Sequence, residues 1–323
     1  MSITITGGFT MAGGGFTLVA APPPSEATAG WYGGGYLTNV PTIYSRVDRI
    51  IYATDTATAS VRGPLSIAKF KTAATGNSTN GWLAGGYASS PNFNLSSVDR
   101  ITYATDTATA SQRGPLTQTV TQEAATSTTT DGWFGGGSSR SSVERITYAT
   151  DTATASLRGP LSQARYGLAA AGNTTYGWLG GGYASGVTVS TVDRITYATD
   201  TDIASVRGPL SAGQKYLAAT GNITDGWFAG GSYPMLSVVQ RITYATDTAT
   251  ASVRGPLSLA RSYLAATGNE TSGWFGGGAA YSGGWIDYTT VDRITYATDT
   301  ATASVRGPLS LARDGHGGSS GIQ

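Results

Sequence analysis

The phrase RITYATDTATASVRGPLS, running from Arg293 to Ser310, returns almost unchanged from Arg49, Arg100, Arg145, Arg194 and Arg241. A chain that carries the same turn signals and the same apolar pattern six times builds one supersecondary unit six times. Trp31, Trp82, Trp133, Trp178, Trp227 and Trp274 mark the copies, at spacings of 51, 51, 45, 49 and 47 residues. A period of this length means an array or a closed ring whose units bury their faces on one another.

Each copy divides into four short runs. In the last full copy they are LARSYLAATGN (Leu259 to Asn269), GWFGGG (Gly273 to Gly278), VDRITYAT (Val291 to Thr298) and ATASVRGPL (Ala301 to Leu309). Strand formers fill each run, Gly-Asn, double Gly or Gly-Pro closes it, and none sustains a helical period. A helical solenoid is excluded by the glycine pairs, and a parallel β-helix has rungs shorter than about 45 residues. Four strands per repeat predict a propeller blade. Blades stack face to face, which explains why Ala, Thr, Ile and Tyr occupy both parities of RITYATDTATAS.

The order (A)R…AA.G…GW.GGG…VDRI.YATDT resembles a degenerate kelch repeat over about residues 30 to 323. The copies depart from that family in the fourth strand, where ASVRG stands in place of a Trp, and in the Trp that precedes the double glycine. The resemblance implies an all-β, six-bladed kelch-like propeller. It implies no activity, because propellers host unrelated functions. Ring closure needs a strand from one terminus. LARDGHGGSSG (Leu311 to Gly321) aligns with LARSYLAATG (Leu259 to Gly268) and is expected to be the first strand of the Trp31 blade, with SEATAG (Ser25 to Gly30) as the shorter competitor.

Composition narrows the function classes. Twelve of the 20 Lys+Arg recur at fixed repeat positions and the formal charge is +1, which leaves no basic footprint for nucleic acid. There are no cysteines, so thiolate chemistry and Cys-ligated metal are excluded. No stretch reaches the roughly 18 apolar residues of a membrane helix, and MSITITGGFTMAGGGFTLVAAPPP lacks the basic start of a signal peptide. Membrane insertion and export by the general secretory route are not expected.

The repeated polar residues read as structure. Asp55, Asp106, Asp151, Asp200, Asp247 and Asp299 are expected to cap Asx-type turns, since one Asp per turn gives calcium too few oxygens. Arg49, Arg62 and their copies are expected to make inter-blade hydrogen bonds and ion pairs. Asn77, Asn173, Asn222 and Asn269 sit in Gly-Asn turns; they match glycosylation acceptors, but turn chemistry accounts for them. His316, the single histidine, has only Asp314 near it in sequence, so no general base, catalytic residue, metal site or cofactor is expected.

What varies is the connection between second and third strands: residues 36–46, 87–97, 138–142, 183–191, 232–238 and 279–290. These loops are expected on the same end of the disc as the blade-to-blade connections. Variable loops on a rigid scaffold carry recognition, and Tyr44, Phe93, Tyr233, Tyr281, Trp285 and Tyr288 are the candidate ligand-binding anchors. Residues 1–24 form a separate arm of short Gly-separated strand phrases ending in Pro22–Pro24, a stiff spacer before residues 25–323. Arm plus ring resembles the plan of bacteriophage virion fibres and decoration proteins. That resemblance implies a non-enzymatic protein of the virion, docked on other subunits by residues 1–24 and binding a host-surface glycan or protein. The alternatives are a decoration protein without receptor binding and, from a different class, a propeller hydrolase or lyase, which would need two close carboxylates near the channel mouth.

Overall fold

The computed structural model describes residues 9–12, 15–18, 27–89, 93–232 and 234–320. Six four-stranded antiparallel sheets surround one axis. In blade 2 the strands run from the axis outward as Ala73–Gly76, Asn80–Ala84, Val98–Thr102 and Ser111–Arg113. Blades 3 to 6 repeat this order around Trp133, Trp178, Trp227 and Trp274. Blade 1 takes its innermost strand from the far end of the chain: Gly317–Ser320 pairs antiparallel with Ala29–Gly33, Gly33 facing Gly317 and Gly30 facing Ser320. C-terminal closure, expected from the alignment of Leu311–Gly321 with the other first strands, is therefore the arrangement found.

Blade stacking buries both faces of the middle strands. Trp82, Trp178 and Trp227 are almost fully buried, as are Leu83, Leu179, Phe228 and Phe275. The six tryptophans that mark the blades all make the same contact. Trp82 stacks on Tyr148 of blade 3 at 3.7 Å between ring centroids, and its indole N–H donates to Asp151 Oδ2 at 2.9 Å. The same oxygen accepts Arg100 Nη1 at 3.0 Å and lies 3.6 Å from Arg113 Nε. The last interface, between blades 6 and 1, is built identically, with Trp274 on Tyr52 and on Asp55 Oδ2 at 2.8 Å, joined there by Arg293 at 3.0 Å.

This clasp corrects one expectation. The recurrent aspartates do not serve as Asx caps; their Oδ2 atoms reach back to the Trp and the two Arg of the preceding blade. The residues before them form one 3-10 turn, as in Tyr103–Thr105. The Asx geometry belongs to the asparagines: Asn77 Oδ1 accepts the backbone N–H groups of Thr79 and Asn80, both at 3.0 Å. The two arginine sets do make inter-blade ion pairs. The Gly of each Arg-Gly-Pro is fixed by close approach, since a Cβ on Gly63 would stand 2.0 Å from the carbonyl oxygen of Ala108 in the next blade.

In the arm, Phe9–Ala12 pairs antiparallel with Gly15–Leu18. Two of the three strand phrases thus satisfy each other in a hairpin; the first, ITITGG, and Pro22–Pro24 lie outside the described residues.

Candidate functional site

The variable loops and the blade-to-blade connections do share one end of the disc. Phe70 bridges Tyr87, Tyr166 bridges Tyr183, Lys215 bridges Ser232 and Ser262 bridges Ala279, each pair joining the connection that enters a blade to that blade's own loop. Several loops fold back as small hairpins, the longest being Ala279–Tyr281 paired with Trp285–Asp287.

The connections are held by two layers of buried polar structure. In four blades a fully buried cation bonds the carboxylate that begins the third strand: Lys69 with Asp99 at 3.2 Å, Arg165 with Asp193 at 3.1 Å, and Arg261 with Asp292 and Arg313 with Asp48 at 2.9 Å. Each cation also caps a carbonyl at the end of the second strand, Lys69 Nζ on Leu83 O at 3.0 Å and Arg261 Nη2 on Phe275 O at 2.9 Å among them. The other two blades change both members together, to Gln214 with Gln240 and to Val120 with Glu144. A buried charge without its partner is costly, and the Gln214 blade loses both charges together; Glu144 keeps only the backbone N–H bond that its counterparts also accept, from Thr117 at 2.6 Å as Asp193 accepts it from Ser162 at 3.1 Å.

Above these pairs, six equivalent residues form a closed circle around the axis. Gln122 N–H donates to Lys71 O, Gly167 to Gln122, Tyr216 to Gly167, Tyr263 to Tyr216, Gly315 to Tyr263 and Lys71 to Gly315. All six have φ between 57° and 68°. Left-handed backbone costs a non-glycine residue roughly 1–2 kcal/mol, which the continuous hydrogen-bond circle offsets. The circle gives the channel a rigid rim that presents Lys71, Gln122, Tyr216 and Tyr263, with glycine at the other two places.

On one side of this rim the side chains are aromatic. Tyr216 and Tyr263 stack at 4.0 Å with an interplanar angle of 18°. Trp285 meets Tyr263 edge-on at 6.5 Å and Tyr281 edge-on at 5.7 Å. Together with Lys215, Ser232, Pro234 and Met235 they line a cleft of about 510 Å³ between blades 5 and 6. The Lys215 ammonium lies 3.9 Å above the Tyr183 ring and 5.1 Å from Tyr216. Tyr281 is 61% exposed and Trp285 40%, so their rings are presented to solvent rather than spent on the blade core. Burial holds the Tyr216 phenol up at about 12 and Tyr263 higher still, so both stay neutral hydrogen-bonding groups at ordinary pH. Among the described residues the lining carries no carboxylate.

Of the six anchors expected from the sequence, Tyr281 and Trp285 come together in this cleft. Tyr233 lies outside the described residues. Phe93 is exposed on the blade 2 hairpin, opposite Ala88, and does not line the cleft. Tyr44 and Tyr288 are half-buried at equivalent places, where their carbonyls accept the N–H groups of Lys69 and Arg313 and so seat the connections. Tyr216, Tyr263 and Lys215 were missed because they fall inside the repeated segments. Their signal is nevertheless in the sequence: aligned copies read Lys71, Gln122, Gly167, Tyr216, Tyr263 and Gly315 at one position, two residues ahead of a small-residue pair that is Ala-Ala in five copies and Gly-Gly in the sixth.

The chain matches no model of a known protein family and no curated protein sequence.

Proposed function

We propose that this kelch-like propeller is the non-enzymatic binding head of a virion attachment protein, and that the cleft between blades 5 and 6 takes a host-surface carbohydrate. One observation carries this: four aromatic rings, two of them solvent-exposed, converge on a concave site at the variable end of an otherwise monotonous disc. Stacked and edge-on rings offer flat apolar faces to the C–H faces of a pyranose, while Ser232, Lys215 and the phenol groups supply hydrogen bonds at its rim. A large apolar cleft with a few convergent polar groups is the shape that small-ligand recognition requires. The opposite end repeats the same Asn and Asp turns in nearly every blade, which gives a ligand nothing to distinguish.

The hairpin Phe9–Leu18 supports the arm's part in the proposal. A two-stranded hairpin is marginal in isolation, and among the described residues neither outer edge has a strand partner, which suits strand addition on another virion subunit.

The test is attachment of the purified chain to a glycan panel and to candidate host cells, comparing Trp285→Ala with the distant control Thr300→Ala. Selective loss in Trp285→Ala is expected. Equal attachment of both variants would remove the cleft from recognition and favour a decoration protein without receptor binding.

A further inference from the structure

Blade 3 has a small internal cavity of about 10 Å³, lined by Val120, Glu123, Phe134, Ser142 and Glu144 among others. The other copies show what belongs in this place. In blade 2 it holds the Lys69 side chain, whose ammonium donates to Leu83 O at 3.0 Å and Ser97 O at 3.3 Å and pairs with Asp99 at 3.2 Å. Phe134, Ser142 and Glu144 are the equivalents of those three residues, and Val120 is the equivalent of Lys69. The backbone register is kept. Phe134 faces Glu144 as Leu83 faces Asp99, and the Val120 carbonyl accepts the Gly86 N–H as the Lys69 carbonyl accepts that of Gly35. The shorter side chain therefore withdraws the cation and leaves its acceptors standing.

Blade 3 does not compensate as blade 5 does. There Gln214 and Gln240 remove both charges. Here the carboxylate Glu144 stays buried, and a second acid joins it: Glu123 stands where blades 4 to 6 have leucine. Glu123 is 6% exposed, and neither of its carboxylate oxygens makes a hydrogen bond of ordinary geometry. A Cβ placed on Gly85 would lie 2.1 Å from Glu123 Oε1 and 2.7 Å from Val120 O, so this oxygen lies beside the Val120 carbonyl. Burial, reinforced by the charge of Glu144 and offset only in part by backbone N–H groups and Lys69, pushes the Glu123 carboxyl up to about 8. Two buried acids without a cation of their own are costly to the fold.

We propose that this cavity binds one dehydrated monovalent cation of about the size of a water molecule, which takes the place of the Lys69 ammonium between the Glu144 carboxylate and the carbonyls of Phe134 and Ser142. A single positive charge balances Glu144 as Lys69 balances Asp99, and Glu123 adds an oxygen in either protonation state. Oxygen acceptors alone suit a hard ion. The volume holds about one water-sized group. Divalent ions fit poorly, because calcium collects about six to eight oxygens and magnesium keeps several waters, for which the cavity has no room. No set of three His, Cys, Asp or Glu gathers among the described residues either. Potassium and ammonium carry the charge of the lysine head and are close to water in size.

The full chain is melted at about pH 8 in tetramethylammonium chloride, whose cation is too large for the cavity, and this salt is exchanged stepwise for potassium chloride or ammonium chloride at constant ionic strength. The melting temperature is expected to rise saturably, by about 2 °C at a tenfold excess over half-saturation. A response to one of the two ions alone supports the proposal and names the ion. Val120→Lys supplies the blade 2 side chain and should melt higher in tetramethylammonium chloride, with no response to either ion. Glu144→Gln installs the residue of blade 5, keeps an acceptor for the Thr117 N–H and should lose the response. No saturable rise in the wild-type protein would mean that the cavity holds water only. An undiminished rise in folded Val120→Lys or Glu144→Gln would put the ion elsewhere, and either result overturns the proposal.

Discussion

Replacing Asp151 by Ala removes the acceptor on which one whole blade interface converges. The Trp82 indole N–H is buried and loses a charge-assisted bond, a loss of about 1.5–3 kcal/mol. Arg100 and Arg113 keep 25% and 19% of their side chains in solvent and can rehydrate, so their ion pairs add about 1 kcal/mol rather than a buried-pair value. The total is about 2.5–4 kcal/mol, or roughly 4–6 °C in melting temperature for a chain of this size. Asp151→Asn keeps an acceptor for Trp82 and loses only the charge, so it should cost about half as much. The informative comparison is Asp55→Ala, which breaks the interface between blades 6 and 1. In a closed ring the six interfaces are equivalent and hold the same three partners, so Asp55→Ala and Asp151→Ala should shift the urea midpoint and melting temperature alike. If Asp55→Ala were nearly silent while Asp151→Ala was severe, the first and last blades would not be clasped and the reasoning from ring closure would fail.

Truncation after Pro308 removes Gly317–Ser320 from the axis side of blade 1, and a thermal melt should show a sharp loss of stability; an unchanged curve would reject C-terminal closure. Trp285→Ala should weaken ligand binding by about 2 kcal/mol, roughly thirtyfold, while Thr300→Ala leaves it unaltered, as read by surface binding to the best glycan or cell type. Glu123 and Asp314, raised by burial to about 8 and about 7, hold protons in the fold that the unfolded chain has already released. Stability should therefore fall as pH rises from about 5 to about 8, by an amount on the order of a few kcal/mol, and chemical denaturation of Glu123→Leu should show a flatter profile. Below about pH 6.5 the opposite slope is expected from His316, whose burial holds it neutral and whose protonation favours the unfolded chain. Deleting residues 1–24 should leave a folded propeller that no longer joins its assembly, and normal incorporation on co-assembly would remove the arm from docking.

The six-bladed ring was legible in the sequence because period, strand-forming runs and breakers are local signals that six copies repeat. The closing strand was legible for the same reason, since Leu311–Gly321 is a sixth first strand with no further strands of a blade after it, while the Trp31 copy has none before it. Sequence also placed both arginine sets between blades, because identical charges at identical positions in stacked units meet their neighbours. It could not assign the recurrent aspartates, whose partners lie 67–75 residues away for most interfaces and 219 across the closing one. Only the rotation of one blade against the next decides that Asp151 meets Trp82 instead of its own turn. The candidate site divided in the same way. Tyr281 and Trp285 stand out as aromatic residues in a long variable loop. Tyr216 and Tyr263, each surrounded by repeated residues, become a stacked pair only when six left-handed turns close around one axis. Glu123 and His316 carry no local mark of their burial; packing of a first strand against the preceding blade takes each out of water, Glu123 beside Gly85 and His316 beside Gly277.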